Sequence, residues 1–301
     1  MTTTSKSADA RKIVLVLGGD IFITAAPPPD RSGPLRGMMS SGVPGGGLAH
    51  RTFAIGDIHG DLEALERLLA QFPTLDRDDS LVFVGDYVDH GPRVAEVVEL
   101  VRRGLARRTP AKVVALRGNH EDAWLRVARR GGWPEFVLRV PNGCAATYRS
   151  FAGIPPAGPE PAMDDLLAMM SGAFFPADVL DWFDALPHYH EDAHAIYVHA
   201  GLPEDDAGQW THPSKVTPAE TLLWVRKRAF FERYRGKPVV VGHTVTTELP
   251  PELSCYTPED PADLWAGEAV YGLDTGCGKG GFLTALELPA LRVYESRTSG
   301  G

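Results

Sequence analysis

From residue 50 onward the chain alternates two kinds of apolar pattern. RTFAIG (51–56), LVFVG (81–85) and KVVALRG (112–118) are short continuous apolar runs closed by glycine, as expected of strands covered on both faces. Between them, Leu62, Leu65, Leu68 and Leu69 recur at helical spacing in DLEALERLLAQF, and RVAEVVELVRRGLA (93–106) repeats the helical period. Strand–helix–strand alternation predicts an α/β sheet with right-handed crossovers. Residues 121–190 read as mostly helical, broken by Pro and Gly. AIYVHAG (195–201) is again a strand. TPAETLLWVRKRAFF (217–231) predicts one helix, with Thr217 as N-cap and Pro218 at the first position. PVVVGH, AVYGLDTG, FLTALEL and LRVYES predict short strands of a second, more antiparallel sheet.

Residues 1–48 break this pattern. TTTSKSAD, APPPDRSGP and SSGVPGGG hold too few apolar residues to form a core, so we expect an extension that is mostly disordered, with IVLVLGG as a candidate edge strand. Met38 and Met39 mark a candidate alternative start. Residues 49–296 form the expected domain, with 121–190 as a helical insertion and 297–301 as a tail.

Each clear strand ends in a polar, glycine-flanked cluster. GDIHG places Asp57 and His59, GDYVDHG places Asp86, Asp89 and His90, and GNHE places Asn119, His120 and Glu121; His199 follows IYV and His243 follows VVVG. Five of the ten histidines fall at these strand ends, where open α/β sheets collect functional groups. One Gly-Asp pair is ordinarily a turn, and one strand-end histidine is ordinarily a satisfied polar residue. Five such clusters in order are not explained that way. Asp, His and Asn without cysteine make an oxygen and nitrogen ligand set suited to Mn²⁺, Fe or Zn²⁺. Their number exceeds the needs of one ion, and two ions about 3.5–4 Å apart suit in-line displacement at phosphorus.

In their order and spacing, GDIHG, GDYVDHG, GNHE, HAG and GHT resemble the phosphoprotein phosphatase family of calcineurin-like metallophosphoesterases, over roughly residues 51–292. The resemblance implies two packed mixed β-sheets flanked by helices and a centre of two divalent ions, Mn²⁺ first, with Fe or Zn²⁺ as alternatives. It implies that Asp57 and His59 bind the first ion, that Asp86 bridges both, and that Asn119, His199 and His243 bind the second. A hydroxide between the ions would attack phosphorus, His120 would protonate the leaving alkoxide, and Asp89 would hold the imidazolium. Arg226, in LLWVR, matches an arginine that binds substrate phosphate.

His90 departs from the family pattern, which has arginine there. His90 could be a weaker phosphate donor, Arg226 could act alone, or Arg93 could reach in from the next turn; Arg93 is our first choice. The implied reaction is hydrolysis of phosphomonoesters, with a serine/threonine protein phosphatase of bacterial type as the first expectation. A symmetrical bis(5'-nucleosyl)-tetraphosphatase is the alternative, and Asp89 speaks against that branch. A metal-dependent binding module without catalysis is the reading from another class; the intact ligand set and His120 oppose it.

The remaining features narrow this picture. A net charge of −9 gives no broad basic surface for nucleic acid. Three cysteines without CxxC argue against a disulfide framework or a thiolate zinc site. No run approaches the length of a membrane helix, and Asp20 interrupts the apolar stretch after Lys12. We therefore expect a cytoplasmic enzyme acting on a phosphorylated protein or small phosphoester. GCGKGG (276–281) fits a dinucleotide fingerprint, but a strand rather than a helix follows, so glycines turning against a sheet is the reading.

Overall fold

The computed structural model describes residues 12–17, 20–25, 50–156, 161–255 and 262–297. Two five-stranded sheets carry the molecule. The first has the order β12–β11–β3–β4–β5, built from β3 (Thr52–Ile55), β4 (Ser80–Phe83), β5 (Lys112–Ala115), β11 (Thr284–Leu288) and β12 (Arg292–Glu295). Its β3, β4 and β5 are parallel, and β11 joins β3 antiparallel. The second has the order β6–β7–β8–β10–β9, from β6 (Tyr189–Glu191), β7 (Ile196–Val198), β8 (Val239–Val241), β9 (Trp265–Ala266) and β10 (Val270–Gly272). Here β7, β8 and β10 are parallel, with antiparallel strands at both edges.

Side-chain alternation makes three layers of core from these two sheets. Phe53, Ile55, Leu81 and Phe83 face the helices 62–69, 94–108 and 119–129. Their neighbours Ala54, Val82 and Val84 meet Tyr197, Val240 and Tyr271 between the sheets. Ile196, Val198, Val239 and Val241 turn outward onto Leu222, Phe230 and Phe231. Both faces of both sheets are covered, which explains strands written as unbroken apolar runs. The insertion is helical as expected, over 134–137, 144–152, 163–171 and 177–185.

Three expectations change. The last strands do not form a sheet of their own. The antiparallel pair β11–β12 adds to β3, whereas β8 and β10 pair in parallel in the other sheet. Apolar runs specify burial, not partners, so the crossing was invisible in them. The helix expected over 217–231 is two pieces, a 3-10 segment at Ala219–Leu223 and an α-helix at Arg228–Arg233. The break exposes Trp224 and Arg226 for contacts that a continuous helix would not allow. IVLVLGG does not become an edge strand of the main sheets. β1 (Lys12–Leu17) and β2 (Asp20–Ala25) pair only with each other, in register Lys12 to Ala25. The rest of 1–48 lies outside the described residues, as does most of the 297–301 tail. No helix among the described residues is long and apolar enough to cross a membrane.

Candidate metal centre

The parallel strands β3, β4 and β5 of one sheet and β7, β8 and β10 of the other end at the same place. Asp57 and His59 follow β3, Asp86, Asp89 and His90 follow β4, and Asn119 and His120 begin the helix after β5. His199 follows β7, His243 follows β8 and Asp274 follows β10. The turns that bring them together are strained. Among the described residues, positive φ outside glycine occurs at His59, Asp86, Asp89, His90 and His243, and otherwise only at Leu291. Five of those six lie in this cluster, where backbone strain is expected to be held in place by surrounding structure.

Asp86 is the hub. Its Oδ1 is 3.5 Å from His199 Nε2, and its Oδ2 is 3.6 Å from His59 Nε2 and 3.9 Å from His120 Nε2. These gaps are too long for hydrogen bonds. Those to His199 and His59 are close to the ~3–3.5 Å expected between two donors that share an ion at about 2.1 Å each. Asp57, Asp86 and His199 bring ligand atoms within 4.8 Å of one another, as do His59, His90 and His120. Asn119 Oδ1 lies 2.8 Å from His199 Nε2 and 2.8 Å from His243 Nδ1. The His243 backbone N–H donates to Asp57 Oδ2 at 2.9 Å, which locks the two sheets at this point.

Two atoms in this centre are buried with no hydrogen-bond partner, Asp57 Oδ1 and His243 Nε2. Burying unpaired polar atoms is costly, and a cation would satisfy both. The residues therefore fit divalent metal. The two inner imidazoles are already oriented for that purpose, since His59 Nδ1 meets the Val88 carbonyl at 2.8 Å and His199 Nδ1 meets that of Val84 at 2.9 Å. In both, the nitrogen facing the cluster is left as an acceptor for an ion. Burial lowers the pKa of His59, His199 and His243, keeping them in the neutral, metal-ligating form. Burial, with Asp274 and Asp86 nearby, pushes the Asp57 carboxyl well up. Burial would raise Asp86 too, but the imidazoles of His199, His120, His59 and His243 outweigh it and hold Asp86 below the ordinary range.

His120 has a different partner. Its Nδ1 is 2.6 Å from Asp89 Oδ2. Asp89 is wholly buried and accepts from Trp124 Nε1 at 2.9 Å and Thr147 Oγ1 at 2.5 Å. Burial alone would lower the His120 pKa; Asp86 and the hydrogen-bonded Asp89 reverse this and lift it to about 9. The ring thus keeps its proton at neutral pH beside the ligand cluster.

The residues expected to grip phosphate are placed very differently. His90 packs edge-on to His59 at 4.7 Å between ring centres and lies 5.8 Å from His120. Burial, then the charges of His120 and Lys279, lower its pKa to about 4, so it is neutral at pH 7. Arg93 turns to Glu96, Nε to Oε1 3.1 Å, on an exposed helix start. Arg226 donates to the His243 carbonyl at 3.2 Å and lies 3.7 Å from Glu248, half exposed at the rim of the cluster.

Several contributors were not assigned from sequence. Glu121, read only as a candidate supporting residue, accepts four backbone N–H groups. Its Oε2 takes Asp86 and Gly118, and its Oε1 takes Tyr87 and Val88, at 2.8–3.3 Å. Asp274 is fully buried beside Asp57 and pairs with Lys279 at 3.5 Å. Its signal was present, since GLDTG repeats the strand-end pattern of the other clusters. Trp124 is core, as tryptophan usually is, yet its N–H is spent on Asp89. The clustered His188, His190 and His194 go separate ways. His194 meets the His50 carbonyl, His190 stacks on Tyr197, and His188 is half-buried near Arg117.

A wall of aromatic rings stands over the centre. Trp133, Phe136 and Trp224 contact one another at 5.3–6.4 Å between ring centres. Phe136 lies 5.3 Å from His120, and Trp224 lies 6.2 Å from His243.

Comparison with known proteins agrees with this geometry. A family model described as calcineurin-like phosphoesterase matches residues 50–247. A symmetrical bis(5'-nucleosyl)-tetraphosphatase of Dechloromonas aromatica is 31% identical over 160 residues, 53% of this chain and 45% of that one. An asymmetrical bis(5'-nucleosyl)-tetraphosphatase of Geobacillus thermodenitrificans is 28% identical over 269 residues, 81% of this chain and 93% of that one. The chain thus spans less than half the length of the first relative and nearly all of the second. A solved metallophosphoesterase from Sphaerobacter thermophilus is also similar, at 18% identity and a TM-score of 0.45, covering 83% of this chain and 88% of that one.

Proposed function

The chain belongs to the calcineurin-like phosphoesterase family, and on that premise we propose that it hydrolyses bis(5'-nucleosyl) polyphosphates at a centre of two divalent ions, Mn²⁺ first. The observation that carries this reading is the wall of Trp133, Phe136 and Trp224 against His120 and His243. Half-buried indole faces beside a phosphoryl-transfer centre suit a nucleobase, because every base offers a face for stacking. The names of the relatives support the same substrate class. This reverses the order of our sequence expectation, which put protein phosphatase first.

Asp57, His59, Asp86, Asn119, His199 and His243 are the residues placed to hold the ions. When bound, such ions supply positive charge for the transferring phosphoryl group and activate water. Glu121 fixes the Asp86 turn, and Asn119 Oδ1 stands 2.8 Å from a ring nitrogen of both His199 and His243, as a shared ligand position requires. Arg226 offers its guanidinium from the His243 side. His120, held as imidazolium by Asp89, gives a proton to the departing oxygen.

That last pair favours a second reading. A phosphate leaving group departs readily without a proton, whereas a serine or threonine alkoxide needs one. The Asp89–His120 pair therefore supports phosphomonoester hydrolysis, with a phosphoprotein as substrate. One panel separates the two. Metal-loaded protein is offered diadenosine tetraphosphate and phosphoserine or phosphothreonine peptides, with products resolved by chromatography. Cleavage of the dinucleotide at a kcat/KM at least tenfold above the peptides is expected. The reverse order would establish the protein phosphatase reading. The products, two diphosphates or a mono- and a triphosphate, identify the bond cleaved.

A further inference from the structure

We propose that Lys279, on the glycine loop pressed against His59, is a phosphate-binding cation of this centre. The proposal rests on the phosphoester reading.

Lys279 lies on the loop between β10 and β11. Asp274 Oδ1 accepts the Gly276 N–H at 3.0 Å, and Thr275 Oγ1 bonds the Phe282 carbonyl at 2.5 Å and Thr284 Oγ1 at 2.8 Å. The loop is therefore tied at both ends. Its middle lies directly on the His59 turn: a Cβ on Gly278 would stand 2.7 Å from that of His59, and φ there is +72°. Glycine is required for this approach. The sequence GCGKGG is thus a loop pressed against the ligand cluster, carrying a single charged side chain into it.

That side chain is held in reach. Lys279 Nζ is 3.5 Å from Asp274 Oδ2, and the Lys279 side chain is 29% exposed. The close approach of Gly278 to His59 sets this loop on the β3 side of the centre. Arg226 stands on the β8 side, bonded to the His243 carbonyl. The two cations flank the cluster. An ammonium has three donors, and its one recorded hydrogen bond here is the long contact with Asp274.

The two other candidates for this duty are differently disposed. His90 is packed among the rings of His59 and His120. Arg93 is spent on an exposed pair with Glu96.

Inorganic phosphate is the probe. Its affinity for the metal-loaded protein is measured by calorimetry and as competitive inhibition of p-nitrophenyl phosphate turnover, with metal per chain counted by elemental analysis. Lys279→Met should weaken phosphate about tenfold with metal content unchanged, and Lys279→Arg should recover most of it. Lys279→Gln, which keeps a polar head, should behave like Met and guards against a folding defect, checked by the thermal midpoint. Phosphate affinity within twofold of wild type in both Met and Gln variants overturns the proposal. So does metal loss in those variants with phosphate binding restored by excess metal, which would make Lys279 a charge partner of Asp274. Turnover of p-nitrophenyl phosphate by the wild type tests the phosphoester reading separately.

Discussion

His120 Nδ1 lies 2.6 Å from Asp89 Oδ2, while the other Asp89 oxygen accepts from Trp124 and Thr147. The carboxylate is fully buried and hydrogen-bonded through both oxygens, so it holds the His120 ring in place. In metal-free protein the His120 ring should titrate near 9, above the ordinary 6.5, by NMR. Asp89→Asn should lower that value by more than one unit. A raised folded pKa stabilises the protonated form. Its contribution is complete below about 6.5 and is lost as pH rises through 9. Wild type should therefore lose its stability advantage over Asp89→Asn across that window, measured by urea unfolding. No difference in slope between the two would count against the pairing.

His120→Asn should reduce kcat on an alkyl phosphate about 100-fold or more. The loss on p-nitrophenyl phosphate, whose leaving group departs without a proton, should be several-fold smaller. Equal losses would assign His120 to the ions rather than to the leaving group.

Glu121→Gln should destabilise the protein by about 2–4 kcal/mol in denaturant titration. Each carboxylate oxygen accepts two backbone N–H groups. Whichever way an amide is turned, its NH₂ meets two donors. Because these bonds hold Asp86, metal affinity should fall as well.

Gly242→Ala should weaken metal binding at least about tenfold while leaving the circular dichroism spectrum unchanged. Gly242 has no unusual φ, so the backbone accepts alanine there, but the new Cβ would strike Asp57 Oδ1, with Asp57 Cγ only 2.9 Å away. Full metal content in this variant would remove Asp57 from the ligand set.

Trp133→Ala should raise KM for diadenosine tetraphosphate about 5- to 30-fold, the range expected for a lost stacking face. KM for p-nitrophenyl phosphate should stay within about twofold. A parallel change in both would mean that the wall is packing for His120.

The strand-end clusters were legible because their chemistry is local. Gly-Asp and Gly-His pairs after apolar runs announce a turn, a ligand and a position on the sheet together. Asp274 has the same signature, yet a lone aspartate before Thr-Gly does not stand out until Asp57 is beside it. The pairing of β11 with β3 spans more than 200 residues, and nothing in FLTALEL names its partner. The helix break at Trp224 was hidden because TLLWVRKRAFF has good helical propensity throughout. The tilted ring contact of Trp224 with Trp133 and the Arg226 bond to the His243 carbonyl override that propensity. Lys279 was hidden by the reverse error, a glycine-rich string tested against nucleotide loops and then set aside as a turn.

The ligand cluster draws Asp57, His59, Asp86 and Asn119 from one sheet and His199 and His243 from the other. Ions seated there would act as a clasp across the sandwich. Their binding free energy then adds to the cohesion of the two halves, as RT ln(1 + [L]/Kd). A chelator would do more than silence the centre: it would lower the melting temperature of a seam that the interleaved valines and tyrosines must then hold alone.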